Sequence, residues 1–187
     1  MNDFFTTANI ISLVRILLTI PIVVLLWAGG KYYVPALILV IVAYISDVID
    51  GIVARTFGQV SEWGKVLDPL GDKILSTALA ITFLQIGVVS LMFAILVVLR
   101  DLLISIFSTK MIKNLRFIRG SAIIGKIVTF LLFVFYSTVI LSMITGSYVS
   151  IVRKIEIAVL FFVVISGVYY LDLYIKSCKS EGTSEQN

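Results

Sequence analysis

Five aspartates lie within or beside long apolar stretches, where carboxylates are rare: Asp47, Asp50, Asp68, Asp72 and Asp101. A carboxylate at membrane depth costs at least about 2.5 kcal/mol, so it needs a partner, a water-filled cavity or a chemical role. On helices, the first two lie one turn apart, as do the next two. The short sequence between these pairs predicts two antiparallel neighbouring helices, with four carboxylates converging on one site near the cytoplasmic surface.

Four clustered carboxylates need counter-charge, because like charges repel one another. Two divalent cations would supply it, and all-oxygen ligands suit Mg²⁺ or Mn²⁺ better than zinc. Paired metals are a common device for displacement at phosphorus. Gly51 and Ala54 lie on the same helical face as Asp47 and Asp50 and leave room for a nucleotide, while Arg55 can neutralise a diphosphate.

Residue types that are absent or rare in the sequence exclude several kinds of catalytic site. The chain has no histidine, which excludes Ser-His-Asp triads, histidine-ligated zinc and phosphohistidine chemistry. Its single cysteine, Cys178, lies near the C-terminus, so neither an internal disulfide nor a cluster of thiolate ligands can form. Carboxylates, basic side chains, hydroxyls and bound metal remain.

The aspartates belong to a longer pattern: Asp47-x-x-Asp50-Gly51-x-x-Ala54-Arg55, eight residues, then Gly64-x-x-x-Asp68-x-x-x-Asp72. This pattern resembles the complete signature of the CDP-alcohol phosphotransferases. The resemblance implies an integral membrane enzyme, typically a homodimer, that binds CDP-diacylglycerol with its acyl chains in the bilayer. It also implies that the phosphatidyl group passes to an alcohol and that CMP leaves.

The same resemblance implies roles for individual residues. Two divalent metals would be bound by Asp47, Asp50, Asp68 and Asp72, and Asp72 would also be the general base for the acceptor hydroxyl. The residues implied for CDP-diacylglycerol are Asn9, Ser12, Gly51, Ala54, Arg55, Ser61 and Gly64. Asn9 and Ser12 also have a simpler interpretation, as a helix cap and a tolerated hydroxyl.

Within the family, the chain is similar to the phosphatidylglycerolphosphate synthases, which implies sn-glycerol 3-phosphate as acceptor. The acceptor residues expected from this similarity are Arg100 and Lys126, and Arg119 is expected to replace an arginine that many bacterial members have where this chain has Ser108. The same departure keeps open phosphatidylglycerol as acceptor, which would give cardiolipin, and an inositol phosphate is a further alternative.

Two interpretations without this chemistry also remain at the level of sequence. Intramembrane aspartates occur along ion paths, so a cation or proton transporter is the rival from another class. The pair Arg100-Asp101 is equally explained as an internal ion pair, because an isolated charge in an apolar span is costly.

The elements expected to position these residues are apolar helices. The chain of 187 residues is 60% hydrophobic and 14% charged, with a mean hydropathy of +1.11, well outside the composition of soluble domains. Six segments have about the length of a membrane helix: Ile10–Ala28, Val34–Ile52, Leu70–Val89, Leu91–Ser108, Ile123–Ile144 and Ile151–Tyr174. We therefore expect an all-α, six-helix transmembrane bundle with a polar active-site cavity.

The basic residues predict how this bundle is oriented. With both termini in the cytoplasm, most lysines and arginines between spans are cytoplasmic, and the other side keeps only Lys31, Arg153 and Lys154. The cavity is then expected to face the cytoplasm across a bacterial-type cytoplasmic membrane. The net charge of +4 is attributed to this asymmetry and to lipid headgroups, and nucleic acid is not expected as a partner. Residues 1–175 form one domain, and residues 176–187 are expected to be a polar, disordered tail.

Overall fold

The computed structural model describes residues 7–57, 64–111, 118–146 and 149–184. Within the helices, it describes the backbone but not the side chains of several terminal segments. These segments are residues 7–12, 47–57, 64–70, 72, 106–111, 118–123, 149–150, 174 and 176–184.

All regular structure in the described residues is helical. The helices are α1 (Thr7–Ala28), α2 (Tyr33–Phe57), α3 (Gly64–Ile86), α4 (Leu91–Met111), α5 (Ile118–Thr145) and α6 (Val149–Ser184), with a short 3-10 helix at Gly30–Tyr32 between the first two. Each helix contains one of the six apolar segments or nearly all of it, which confirms the predicted number and order of helices in the described residues.

Glycines with positive φ end three of the helices. Gly29 follows α1 with φ +69°, Gly87 follows α3 with φ +82°, and Gly146 follows α5 with φ +71°. A residue with a side chain adopts this conformation only with strain, so glycine terminates a helix cleanly. Only residues 87–90 separate α3 from α4, and the two helices pack together.

The helices pack in a closed cyclic order. Going around the bundle, α1 contacts α3, α3 contacts α4, α4 contacts α6, α6 contacts α5, α5 contacts α2, and α2 contacts α1 again. Buried apolar side chains fill the centre. They include Ile22, Val40, Leu79, Phe93 and Tyr136, one from each of the first five helices.

This order corrects the expectation that the second and third helices are direct antiparallel neighbours. In the described residues, α2 and α3 each make extensive contacts with α1, and no contact of that size joins them directly. A short connection did not require direct contact, because six residues can span up to about 20 Å and packed helix axes are only about 8–10 Å apart.

Apolar side chains also cover the outside of the bundle. Large exposed hydrophobic residues occur on every α-helix that has described side chains, among them Leu17, Ile38, Leu99, Phe130 and Phe161. In α5, Ile124–Thr145 is long and apolar enough to cross a membrane, the one such stretch by that criterion in the described residues. An apolar exterior around an apolar core is the arrangement expected of a protein that is solvated by lipid.

Two predicted boundaries were wrong. Helix α6 continues to Ser184, so the expected disorder from residue 176 onward does not hold for most of that tail. Its Lys, Ser and Glu residues are compatible with a helix that has already been nucleated by the preceding apolar span. Helix α3 begins at Gly64, six residues before the expected segment Leu70–Val89.

Candidate active site

The four aspartates of the motif lie on α2 and α3, near the same end of the bundle. Asp47 and Asp50 are in the C-terminal half of α2, and Asp68 and Asp72 are in the N-terminal half of α3. Their side chains lie outside the described part of the structure, but the helical backbone keeps each pair about one turn apart. Because consecutive helices run in alternate directions, the end of α2 and the start of α3 face the same side, here called the site end.

Most of the predicted nucleotide-binding residues lie toward the site end as well. Gly51, Ala54 and Arg55 are in the last turns of α2, and Gly64 is the first residue of α3. Asn9 and Ser12 are in the first turns of α1, and α1 begins at Thr7, so Asn9 is inside the helix rather than its cap. Ser61 lies outside the described residues.

An ionic cluster lies between the middle of the bundle and the site end. Arg100 and Asp101, adjacent on α4, are each only 2% exposed. Arg100 Nη1 donates to Asp101 Oδ1 at 2.7 Å, and Arg100 Nη2 donates to the Gly125 carbonyl of α5 at 3.1 Å. Lys73 Nζ of α3 lies 3.6 Å from the same Asp101 Oδ1. The cluster therefore connects α3, α4 and α5. Its member on α3, Lys73, directly follows Asp72 in the sequence.

Gly125 also makes room for the side chain of Tyr170 of α6. A Cβ built at position 125 would overlap the Tyr170 hydroxyl, and it would lie 3.4 Å from Cζ of that ring. The carbonyl of Gly125 accepts from both Arg100 and Thr129, whose hydroxyl lies 3.0 Å away. The missing side chain thus lets the Tyr170 ring of α6 pack directly against α5.

The three predicted acceptor residues have different positions. Arg100 is buried in the cluster, and the internal ion pair considered as an alternative is indeed present. The side chain of Lys126 is exposed and makes no contact with the cluster among the interactions described. Arg119 is in the first turn of α5, where the backbone alone is described.

The surroundings of three charged side chains were not predicted from the sequence. Lys73 was counted only as a cytoplasmic charge, although it follows Asp72 directly and reaches Asp101. Arg15 on α1 is only 1% exposed, although it lies in an apolar segment. Glu156 on α6 is 2% exposed at the opposite end of the bundle, and its spacing of three residues from Arg153 was the available signal.

The four aspartates of the motif offer oxygen ligands that suit hard divalent cations. Four carboxylates on two helices supply oxygen ligands alone, and the helical parts of the chain contain no histidine to favour zinc. Among the described side chains, no group of three or more acidic or sulfur ligands occurs elsewhere. The residues present therefore fit a site for Mg²⁺ or Mn²⁺.

Comparison with known protein families gives the same assignment as the motif. The family model described as CDP-alcohol phosphatidyltransferase matches residues 5–170, a stretch that includes all four aspartates, Arg100 and Tyr170. The chain belongs to the CDP-alcohol phosphatidyltransferase family.

Individual relatives extend this result. A protein of Aquifex aeolicus named CDP-diacylglycerol--glycerol-3-phosphate 3-phosphatidyltransferase is 30% identical over 87% of this chain and 92% of its own length. A protein of Mycoplasma pneumoniae with the same name is 40% identical over 46% of this chain, but the match spans only 35% of that relative. A Schizosaccharomyces pombe fusion protein named cardiolipin synthase (CMP-forming) / mitochondrial hydrolase is 36% identical over 55% of this chain and 17% of its own length.

Proposed function

We propose that this chain transfers the phosphatidyl group of CDP-diacylglycerol to sn-glycerol 3-phosphate, giving phosphatidylglycerol phosphate and CMP. The observation that carries the proposal is the family match over residues 5–170, within which the complete aspartate motif falls on α2 and α3. The Aquifex relative, whose name specifies this reaction, aligns along nearly its whole length.

In the proposed reaction, the acceptor hydroxyl attacks the β-phosphorus of CDP-diacylglycerol. A new phosphorus–oxygen bond forms, and the bond from that phosphorus to the oxygen of CMP breaks, so CMP leaves with the electron pair. Asp72 takes the proton of the attacking hydroxyl. Two divalent cations held by Asp47, Asp50, Asp68 and Asp72 would supply charge neutralisation at the diphosphate.

The nucleotide is proposed to lie against the ends of α1 to α3. Arg55 would neutralise part of the diphosphate charge, and Gly51, Ala54 and Gly64 offer little side-chain bulk where the nucleotide would approach the backbone. Ser61, Asn9 and Ser12 are proposed to contribute polar contacts.

Arg100 is the acceptor residue best supported by the structure. Two of its nitrogens are held by Asp101 and Gly125, whereas the third, Nε, is buried and has no hydrogen-bond acceptor in the part of the chain that the structure describes. A buried donor of this kind favours an anionic ligand, because an unmet hydrogen bond costs about 1–3 kcal/mol. Lys126 and Arg119 remain proposed as further phosphate contacts.

A second acceptor has one observation in its favour. The fission yeast relative is named a cardiolipin synthase, and Ser108 replaces an arginine expected of many glycerol phosphate enzymes. Phosphatidylglycerol is thus the alternative acceptor, with the same attack on CDP-diacylglycerol. The transporter hypothesis receives no support from the family match.

We further propose that the protein is a multi-pass membrane enzyme, with residues 1–175 as its catalytic domain, its site end in the cytoplasm and a homodimer as its working form. The apolar exterior of the helices supports several spans. The concentration of basic residues between spans at the site end supports the orientation.

An acceptor screen tests the proposed function. Protein purified in detergent is incubated with CDP-diacylglycerol, Mg²⁺ or Mn²⁺, and one candidate acceptor, and CMP release is measured. Release that requires glycerol 3-phosphate supports the proposal. Release that requires phosphatidylglycerol would replace it with the cardiolipin reaction, and release with neither acceptor would contradict both.

A further inference from the structure

The buried cluster near the site end contains two cations and one carboxylate. Lys73, Arg100 and Asp101 are the charged side chains described there, and both basic groups contact the same oxygen of Asp101. The Lys73 side chain is 15% exposed and the other two are 2% exposed. Charges in such surroundings are tolerated when they are paired, so Asp101 keeps both cations in place.

The cluster connects helices with different functions. Lys73 follows Asp72 on α3, the helix that carries half of the aspartate motif, whereas Arg100 lies on α4 and reaches the backbone of α5. Asp101 Oδ1 is the described atom shared by the α3 contact and the α4 contact. Moving this oxygen would therefore change where the guanidinium lies relative to α3.

We propose that Asp101 is a positioning residue for the acceptor: its Oδ1 contacts both Arg100 and Lys73 and thereby sets the position of the Arg100 guanidinium relative to α3. Asp101 itself does not touch the acceptor or exchange a proton. This inference rests on the proposed function, since it takes Arg100 as a contact of the acceptor phosphate.

The geometry of Arg100 explains why such positioning has an effect. Asp101 holds Nη1 and the Gly125 carbonyl holds Nη2, so two contacts fix the plane of the guanidinium and the direction of Nε. An error of about 1 Å in a positioned group can lower the rate by about a hundredfold. Loss of the Asp101 charge would weaken the contact of Oδ1 with Nη1 and its attraction to Lys73.

The test compares three variants of the full chain. Asp101→Asn keeps the shape and removes the charge, Asp101→Glu keeps the charge and moves it by one methylene, and Glu156→Gln removes a carboxylate of equal burial at the opposite end. For each variant, the KM for glycerol 3-phosphate and the KM for CDP-diacylglycerol are measured. A second readout is the concentration of glycerol 3-phosphate that half-maximally protects the protein from thermal unfolding.

We expect Asp101→Asn to raise the KM for glycerol 3-phosphate and the half-protecting concentration by about tenfold or more, and the KM for CDP-diacylglycerol by less than about threefold. Asp101→Glu should show an intermediate increase for the acceptor alone, and Glu156→Gln should change neither KM.

Several results would overturn the inference. Asp101→Asn with the acceptor KM of the wild type, or with both KM values raised equally, would make Asp101 a structural counter-ion only. If Asp101→Asn does not fold, an Asp101→Glu variant with both KM values unchanged would have the same consequence. Wild-type protein without activity toward glycerol 3-phosphate would instead contradict the proposed function, which is a separate failure.

Discussion

The two ends of the bundle each contain a buried carboxylate, and the surroundings of the two differ. Asp101 and Glu156 are each 2% exposed and each pairs with an arginine. Glu156 Oε1 accepts from the Ser90 backbone N–H at 2.8 Å, and Oε2 pairs with Arg153 at 3.2 Å. Asp101 uses one oxygen for two cations, while its Oδ2 has no hydrogen-bond partner among the described residues.

This difference fits a structural role for Glu156 and the positioning role proposed for Asp101. Glu156 accepts a hydrogen bond from a backbone N–H at the start of α4, where the Ser90 hydroxyl also accepts from the Phe93 N–H at 3.1 Å. The arginine that pairs with Glu156, Arg153, is 63% exposed. Both oxygens of Glu156 have partners, and the charges balance one to one. Near the site end, Arg100 Nε and Asp101 Oδ2 are buried without a hydrogen-bond partner among the described residues, which is the arrangement expected where a ligand completes the set.

The strongest test of the contrast is removal of the proposed base. Asp72→Asn should lower kcat by about 10² to 10⁴, because a positioned base contributes that much to a proton transfer. Asp47→Ala, Asp50→Ala and Asp68→Ala should abolish turnover together with metal binding. CMP release measures each effect, and Glu156→Gln is the control. Substantial turnover in any aspartate variant would refute the site assignment.

The arginines of the two carboxylates provide a second comparison. Arg100→Ala should raise the KM for glycerol 3-phosphate by about ten- to a hundredfold, the effect of losing one charge-assisted contact to phosphate. Arg153→Ala, at the opposite end, should leave that KM unchanged. Steady-state kinetics with both substrates varied would show this. Equal KM values in the two variants would remove Arg100 from the acceptor site.

The contact between Gly125 and the Tyr170 ring tests the packing near the site end. Gly125→Ala should destabilise the protein by about 1–2 kcal/mol, because the added methyl group overlaps the Tyr170 hydroxyl. Tyr170→Phe in the same chain should restore much of the loss, since the ring carbon stays at an acceptable distance. Gly167→Ala is the matched control, with no atom near its added Cβ. Thermal unfolding is the measurement, and the absence of rescue would contradict the described packing.

The smallest effect is expected at Glu156 itself. The amide oxygen that Glu156→Gln introduces can still accept from Ser90, so this variant loses mainly the pairing with the exposed Arg153, worth less than about 1 kcal/mol. The thermal midpoint in detergent should fall slightly while both KM values remain those of the wild type. A change in acceptor KM would mean that the two ends of the bundle are coupled.

The sequence predicted the helices well because each is marked by its own apolar run. Length and hydropathy set the number and order of the spans, and Gly29, Gly87 and Gly146 mark where three helices end. The motif was also predictable, because one-turn spacing is a local property that survives any arrangement of the helices. These features depend only on residues close together in the chain.

The arrangement of helices could not be predicted in the same way. A short connection does not determine which helices pack together, so the position of α1 against both α2 and α3 was missed. The same holds for the contacts of Lys73 with Asp101 and of Gly125 with Tyr170, which join different helices. An apolar exterior also removes the usual periodic signal, since both faces of these helices are hydrophobic.

The most direct test of the central claim follows both products of one reaction. Purified protein is given CDP-diacylglycerol, labelled glycerol 3-phosphate and Mg²⁺ or Mn²⁺, and CMP and labelled lipid are quantified together. We expect equal amounts of CMP and phosphatidylglycerol phosphate, with neither product formed by the Asp72→Asn variant above a small residual rate. CMP release without label in the lipid fraction would contradict it.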